Sequence, residues 1–402
     1  MPGLAPRKPL LGLAFLAFVS LGLPDGLLGV AWPSLSATLG LPLEALGALL
    51  VPFTAGYLVS SSSSGHLLAR MRVGSLLTLS VLATAASLFG FALAPSWWVL
   101  VVLSILLGLG GGAIDAGLNT YAAGYLGARA LNWLHASCGV GATLSPLLMT
   151  GVLTAGLTWR WGYALAALAQ ALLALVFGLT RGWWAGAVAA RTSSDVCGKP
   201  APAIRTLRLP LAWLGVAVFF LYTGVEVSAG QWGFTLLSAA RGLPVATAGA
   251  WVSAYWGSLT LGRVLFGTVP LVAPLRVLRL CLAGVLLGAA LLWLGAADPL
   301  SLLGLVLMGL ALAPIFPFLI ATTPERLGPA HAANAIGFQV GAATLGGTLI
   351  PAGVGLLAGR AGLEAIPSAL LVAAGGLFVL HEGLAAARPR AVPGEATLST
   401  DR

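Results

Sequence analysis

The stretch Gly22-Leu-Pro-Asp-Gly-Leu-Leu-Gly-Val-Ala-Trp32 places a carboxylate, Asp25, beside a proline inside an apolar run. That run extends from about Pro9 to Trp32, and about 20 apolar residues are enough to cross a bilayer. An ionisable side chain at the centre of a membrane helix costs about 2.5 kcal/mol or more, so it normally faces water or a polar partner. Asp25 is therefore a candidate functional residue in a first membrane span.

The same signature returns half a chain later, in Tyr222-Thr-Gly-Val-Glu-Val-Ser-Ala-Gly-Gln-Trp232. Glu226 stands where Asp25 stood, at an offset of 226 − 25 = 201 residues. Further pairs share that offset: Gly29 and Gly230, Gly56 and Gly257, Gly108 and Gly309, Ile114 and Ile315. Several matches at one offset predict two like halves, which in membrane carriers surround a central site.

Composition agrees with a membrane protein and excludes several other classes. Hydrophobic residues make up 59% of the 402 residues and charged residues 8%, whereas about a quarter of the residues of a soluble domain are charged. The net charge of +9 comes from basic residues that lie between the apolar runs, as is usual in the loops of membrane proteins. We therefore expect no nucleic-acid partner. Three scattered cysteines predict neither a disulfide framework nor a metal site. No phosphate-binding loop, metal-spaced histidine cluster or Gly-x-Ser-x-Gly elbow occurs, so we predict no enzyme and no cofactor.

About twelve apolar runs reach spanning length, which predicts an all-α polytopic membrane protein with two six-helix bundles. The runs lie at about Pro9–Pro33, Leu43–Ser63, Gly74–Leu93, Trp97–Tyr121, Ala130–Thr154, Trp161–Thr180, Leu209–Leu237, Val245–Val269, Leu275–Leu294, Leu300–Ala321, Ala332–Leu357 and Ala365–His381. The bundles are predicted at 1–180 and 209–387, with a cytoplasmic linker at 181–208 and a disordered tail at 388–402.

The basic residues predict the orientation of the chain. Threading the chain through these spans leaves only Arg160, Arg241 and Arg360 on one side and the other 17 of the 20 Lys and Arg residues on the opposite side. Both termini are therefore predicted to be cytoplasmic, in a multi-pass protein of the plasma (bacterial inner) membrane. We expect a monomer whose partners are lipid and a small-molecule substrate.

Two six-span halves joined by a basic loop resemble the major facilitator superfamily. The stretch Gly65-His-Leu-Leu-Ala-Arg-Met-Arg-Val-Gly74 matches the loop signature of that superfamily in its Gly, Leu and Arg, but has Ala69 in place of Asp and Arg72 in place of Gly. The charged latch of this loop is therefore not implied.

The fourth span gives a closer resemblance. Leu107-Gly-Leu-Gly-Gly-Gly-Ala-Ile-Asp-Ala-Gly-Leu-Asn119 resembles the fucose:proton symporter family, whose fourth helix has a Gly-rich run, a carboxylate and an Asn four residues later. The run Tyr222–Trp232 resembles the seventh helix of the sodium-dependent glucose carrier branch. The resemblance implies a sugar substrate and proton coupling through Asp25 and Asp115. A sodium ion held by a carboxylate and backbone oxygens near Pro24 stays open as the coupling ion.

Of the 11 acidic residues, we place only Asp25, Asp115 and Glu226 deep inside spans, with no Lys or Arg at that depth. Burial without a basic partner favours the protonated carboxylic acid, as a proton symporter requires. Arg263 is expected to extend to the membrane surface.

The predicted substrate site combines two kinds of side chain. Aromatic rings suit the apolar face of a sugar, and polar groups could bind its hydroxyls. The candidates are Glu226, Gln231, Trp232, Tyr222, Asn119, Asn132, His135, Tyr255, Trp256, Asn334 and Gln339. The alternative for each of them is a packing role or a helix-to-helix hydrogen bond. Two other functions also stay open: a proton-coupled exporter of amphipathic drugs or lipids, and a non-transporting membrane sensor or scaffold.

Overall fold

A computed structural model describes residues 8–125, 127–184, 201–268, 274–295 and 299–387, and these ranges contain helices and no strand. The helices are α1 (Lys8–Leu39), α2 (Ala45–Arg70), α3 (Val73–Leu93), α4 (Trp97–Tyr125), α5 (Gly127–Thr154), α6 (Trp159–Thr180), α7 (Ala203–Leu207), α8 (Pro210–Thr235), α9 (Val245–Thr268), α10 (Pro274–Leu294), α11 (Pro299–Leu312), α12 (Ile315–Leu327), α13 (Pro329–Ala361) and α14 (Ala365–Ala386). A 3₁₀ turn (Arg181–Trp184) follows α6, and a π-helical turn (Leu236–Ala240) follows α8.

Eleven helical stretches in these ranges are long and apolar enough to cross a membrane. The helices α11 and α12 together form one of them, Pro299–Leu327, interrupted near Pro314. With α9, which contains Arg263 and is not among the eleven, the helices match the twelve predicted spans in order. The predicted all-α polytopic fold is confirmed.

Several spans extend beyond the predicted ends. The helix α1 continues through Pro33 to Leu39, and α13 continues through Pro351 to Ala361. A proline removes one backbone donor, but in a membrane bundle neighbouring helices can satisfy the carbonyl that it frees. One such partner is visible, since Trp232 Nε1 donates to the carbonyl of Pro351 at 2.8 Å. Prolines that suggested span ends therefore lie inside long helices.

The two halves repeat one packing scheme. In the first half α1 packs against α5, α2 against α4, and α3 against α6. In the second half the counterparts pack in the same way, α8 against α13, α9 against α11, and α10 against α14. The middle of the predicted linker, residues 185–200, lies outside the described residues, as does the predicted tail 388–402. The predicted domain boundaries therefore stay predictions.

The outer helix faces carry large apolar side chains. Leu179, Leu280 and Val372 are each about three-quarters exposed in the isolated chain. Exposing so many large apolar side chains to water would be energetically costly. Contact with lipid has no such cost, because lipid tails are as apolar as leucine. These surfaces therefore suit the hydrocarbon interior of a bilayer.

The halves meet along α2 and α13, α5 and α9, and α1 and α8. We call the face where α1 begins and α14 ends the terminal face, and the opposite one the distal face. On the distal side a Cβ atom added to Gly47 would lie 2.6 Å from the Cβ of Ala352, and the hydroxyl oxygens of Thr54 and Thr348 are 2.5 Å apart. Closer to the terminal face, a Cβ added to Gly65 or Gly337 meets no described atom within 4 Å. The halves thus touch on the distal side, whereas these two glycines nearer the terminal face have open space beside them.

Cross-linking tests this arrangement. Cysteines replacing Thr54 and Thr348 place their sulfur atoms close to the positions of the two hydroxyls, and a disulfide bond is about 2.0 Å long. We expect the pair to oxidise readily and to show altered mobility on non-reducing gels until a reductant is added. Gly65→Cys with Gly337→Cys, on the same two helices, is the matched control. Rapid cross-linking of that control pair would show that the terminal side is closed.

Candidate functional site

A buried ion pair joins α8 to α9 in the middle of the second half. Arg263 Nη2 lies 2.9 Å from Glu226 Oε1, and the hydroxyl of Tyr222 donates to Glu226 Oε2. The side chain of Glu226 is 10% exposed and that of Arg263 is 28% exposed. A carboxylate at this depth is thus neutralised by a guanidinium. The prediction that no basic residue reaches the deep carboxylates was wrong for Glu226, and so was the surface position expected for Arg263.

Two predicted substrate contacts have their polar atoms bonded to protein. The Tyr255 hydroxyl donates to the main-chain carbonyl of Glu226 at 2.7 Å and fixes α9 against α8. Trp232 Nε1 donates to the Pro351 carbonyl, and the fully buried ring lies against Gly355, where any Cβ would nearly overlap it. The positions of Tyr255 and Trp232 are those of residues that hold helices together.

Asp115 accepts hydrogen bonds from two side chains, one on α2 and one on α4. Its Oδ2 accepts from the Tyr57 hydroxyl at 2.7 Å, and its Oδ1 accepts from Asn119 Nδ2 at 3.0 Å. The helices approach closely because Gly108 leaves space for the backbone of Phe53. Sequence reasoning missed Tyr57. Its only signal was a hydroxyl-bearing ring inside an apolar span.

Asp25 differs from the other two carboxylates. Its main-chain carbonyl accepts from Gln231 Nε2 at 2.9 Å, which joins α1 to α8. Its carboxylate is partly exposed and has no hydrogen bond or ion pair with any described residue. Glu226 and Arg263 lie within electrostatic range, but they neutralise each other. Asp25 is therefore the deep carboxylate that has no direct partner within the described part of the chain.

Asp25 borders a cavity of about 40 Å³, which we call the Asp25 cavity. Its polar wall groups come from Ser104, Tyr163 and Gln231, and most of the other lining residues are apolar. A cavity needs about 10–15 Å³ to hold one water molecule. The Asp25 cavity can therefore hold a few waters, but it is too small for a sugar in this conformation.

Two polar atoms at the contact between α1, α8 and α9 are buried without a partner among the described residues. They are the indole nitrogen of Trp256 and Oε1 of Gln231. The Trp256 ring lies against Gly230, where it leaves no room for a side chain. A free donor and a free acceptor at one contact between helices are what a polar ligand would use.

Other candidates lie elsewhere. Asn334 Nδ2 donates to the carbonyl of Ala201 at 2.8 Å, so it holds the linker end against α13. Gln339 accepts from Thr323 at 3.1 Å within the second half. His135 is exposed, lies edge-on to Phe18 at 5.2 Å between ring centroids, and is within electrostatic range of Asp115. The side chain of Asn132 lies outside the described residues.

Comparison with known proteins gives a consistent result. The profile of the family described as Major Facilitator Superfamily matches residues 14–351. A curated relative, sodium-dependent glucose transporter 1 of Homo sapiens, is 26% identical over 385 residues, covering 86% of this chain and 72% of its own length. The crystal structure of a mutant of the nucleoside transporter NupG superposes with a TM-score of 0.76 at 17% identity, covering 93% of this chain and 98% of its own. The crystal structure of the transporter FucP in the outward conformation superposes with a TM-score of 0.60 at 14% identity, covering 94% of this chain and 98% of its own.

The buried ion pair makes a testable contribution to stability. Removing one partner of a fully buried pair costs about 3–5 kcal/mol, and because Arg263 keeps partial exposure we expect about 2 kcal/mol for Glu226→Gln or Arg263→Gln. The double variant should lose less stability than the two single variants lose in sum, because it leaves no unpaired charge buried. Thermal unfolding of the four proteins in detergent measures this coupling.

The matched control is the ion pair between Arg279 and Glu382, whose side chains are 48% and 35% exposed. Solvent-exposed pairs contribute about 0–1 kcal/mol, so Arg279→Gln and Glu382→Gln should barely change the Tm. Additive losses for Glu226→Gln and Arg263→Gln would contradict a direct pair between them.

Proposed function

This chain belongs to the major facilitator superfamily, and from that premise we propose that it moves a sugar or similarly polar solute by alternating access, together with protons. The observation that carries the proposal is the unpaired carboxylate of Asp25, partly exposed beside a cavity where α1 of the first half contacts α8 of the second. A buried carboxylate without a fixed countercharge changes its protonation when its access to water changes. Such a group can couple an ion gradient to a conformational change.

The surroundings of Asp115 favour a proton over a sodium ion. Both oxygens of this carboxylate accept hydrogen bonds, one from a hydroxyl and one from an amide N–H. A sodium ion is a hard cation that needs several oxygen ligands at once, and the two groups nearest this carboxylate present hydrogen atoms to it. A proton needs only one carboxylate oxygen. The human relative carries sodium dependence in its name, so the experiment below includes a sodium gradient.

The proposed substrate class rests on the groups beside Asp25. Trp256 offers a flat ring and a free N–H, and Gln231 offers a free carbonyl oxygen. Together they suit a hydroxylated ring compound such as a sugar or the sugar part of a nucleoside. Glu226, oriented by Tyr222 and Arg263, keeps further lone pairs on both carboxylate oxygens and is assigned to substrate hydroxyls. The proteins that resemble this chain include a glucose transporter and a nucleoside transporter, which fits a substrate with a hydroxylated ring.

The contacts between the halves fit alternating access. In this conformation Thr54 and Thr348 join the halves on the distal side, whereas Gly65 and Gly337, nearer the terminal face, have open space beside them. Exposed His135 lies on the same side, within electrostatic range of Asp115 and Arg263. We assign His135 and Asn119 to the terminal-side mouth of the substrate site.

Reconstituted transport tests the proposed function. Proteoliposomes containing the purified chain are supplied with labelled sugars and nucleosides under a proton gradient, a sodium gradient or none. We expect accumulation of one solute class only under the proton gradient. Asp25→Asn and Asp115→Asn should abolish accumulation while exchange of internal and external substrate survives, because an amide keeps the shape but does not titrate. Melting temperatures serve as the folding control, since removing a buried ionisable group does not add desolvation cost.

The outcomes separate the alternatives. Accumulation under a sodium gradient alone would overturn proton coupling but not transport. Export of amphipathic dyes without sugar uptake would favour the drug or lipid exporter. Absence of all solute movement from a folded protein would favour the sensor or scaffold.

A matched pair of tryptophans tests the substrate site separately. Trp256→Phe removes an indole N–H that has no described partner, whereas Trp232→Phe removes one that is bonded to Pro351. We expect Trp256→Phe to weaken substrate affinity by about tenfold, the effect of roughly one hydrogen bond, with little loss of Tm. Trp232→Phe should lower the Tm and leave affinity nearly unchanged. The opposite pattern would make Trp256 a packing residue.

A further inference from the structure

The Asp25 cavity is lined by a buried polar atom that the proposed substrate site does not use. The hydroxyl of Tyr163 has no partner among the described residues, although Tyr163 is only 2% exposed, and Oε1 of Gln231, which the proposed substrate site shares with the cavity, also has none. A polar atom buried without a hydrogen bond is costly, and in native proteins such atoms are normally satisfied by ordered water. The cavity of about 40 Å³ has space for a few such waters. We expect a small water cluster that touches Tyr163, Gln231 and the Asp25 carboxylate.

The cavity reaches beyond the contact between the halves. It begins where Asp25 of α1 meets Gln231 of α8, and its far wall includes Tyr163 from α6 and Phe91 from α3, whose rings are 5.2 Å apart between centroids. The helices α3 and α6 pack on each other within the first half, and neither is among the helices that form the main contacts with the second half. The cavity therefore extends from Asp25 into the first half as far as α6. Only a very small species could use this direction.

A thin layer separates the cavity from the distal face. Tyr163 lies one helical turn from Trp159, the first residue of α6, which is a distance of about 6 Å along the helix axis. The rings of Tyr163 and Trp159 meet edge-on with centroids 5.9 Å apart. Trp159 Nε1 donates to the Thr38 hydroxyl at 3.2 Å near the distal end of α1. This bonded layer closes the cavity toward the distal face in the present conformation.

We propose that the Asp25 cavity is a proton-transfer chamber, in which waters held by Tyr163 and Gln231 pass protons between Asp25 and the distal face inside the first half. One proton leaves a hydronium ion in the chamber and binds a carboxylate oxygen of Asp25, whose charge changes from −1 to 0. The reverse step returns it to water, and no other bond changes. The proposal rests on the proposed proton coupling. The Trp159 layer closes the chamber toward the distal face in this conformation, so Asp25 does not reach the distal solution through it until that layer moves.

Other charged and titratable groups face Asp25, and their arrangement leaves its proton free to exchange. The groups within electrostatic range are Glu226 on α8, Arg263 on α9, Cys138 on α5 and Tyr57 on α2. Glu226 and Arg263 form an ion pair, and Tyr57 donates to Asp115. None of them forms an ion pair or hydrogen bond with the Asp25 carboxylate among the described contacts. The chamber waters are then its nearest exchange partners.

Tyr163→Phe tests the proposal, because it keeps the ring and removes only the hydroxyl that would hold water. We expect proton-driven uptake in proteoliposomes to slow by about tenfold, the effect of one missing hydrogen bond in a limiting step, with a larger solvent deuterium isotope effect. Equilibrium binding and substrate exchange, which need no net proton transfer, should stay within about twofold of the parent. Ser104→Val, which replaces the hydroxyl at the cavity wall with two methyl groups, should act in the same direction.

Thr84→Val is the matched control, since it removes a buried hydroxyl of α3 that bonds within its own helix and does not line the cavity. It should leave uptake and the isotope effect unchanged. A rise in the half-saturating substrate concentration of Tyr163→Phe without slower proton-driven uptake would place the cavity on the substrate path and overturn the proposal. Parent-like behaviour of both Tyr163→Phe and Ser104→Val would overturn it as well.

The test distinguishes this inference from the proposed function. If Asp25→Asn abolishes accumulation while Tyr163→Phe and Ser104→Val behave like the parent, Asp25 couples protons by another route and only the chamber is wrong. If Asp25→Asn accumulates substrate normally, the proposed coupling itself is wrong.

Discussion

A charge inside a membrane must be neutralised or brought to water, and this constraint explains the arrangement of the central residues. The three deep carboxylates meet it in three ways. Glu226 pairs with Arg263, Asp115 accepts two hydrogen bonds, and Asp25 borders a cavity large enough for water. The desolvation cost of a lone ion in a low-dielectric interior is several kcal/mol. Each of these environments must offset it, and only the one around Asp25 can do so without a fixed protein partner.

The internal repeat places Asp25 and Glu226 at equivalent positions of two like halves, yet the halves use them differently. The helices pack in the same pairs in both halves, α1 with α5 and α8 with α13. In the second half, however, α9 contributes an arginine to the carboxylate, whereas no described residue of the first half does so. One duplicated position is therefore a fixed electrostatic element, while the other is a carboxylate without a fixed partner among the described residues. This division fits the proposed function, in which one half would respond to protons and the other to substrate.

Hydropathy and the offset of 201 residues were sufficient to predict the fold from the sequence. Spanning length depends on local composition, so the spans could be counted without any knowledge of their packing. The deep positions of Asp25 and Asp115 followed for the same reason. Partnerships between helices could not be predicted in this way, because Arg263 lies 263 − 226 = 37 residues from Glu226 on another helix and no periodicity connects them. Tyr163 gave no signal because an empty volume beside a hydroxyl is a property of packing alone.

The hydroxyl contact between Thr54 and Thr348 has a consequence for the energetics of the cycle. It joins the halves through a neutral hydrogen bond, and such a bond contributes only about 0.5–1.5 kcal/mol net, because water satisfies both hydroxyls when they separate. This hydrogen bond by itself therefore adds little more than thermal energy to the packing of α2 against α13 on the distal side. Its loss adds correspondingly little to the free energy needed to separate the halves there. A charged latch would hold more firmly, but it would make the carrier slow to reverse.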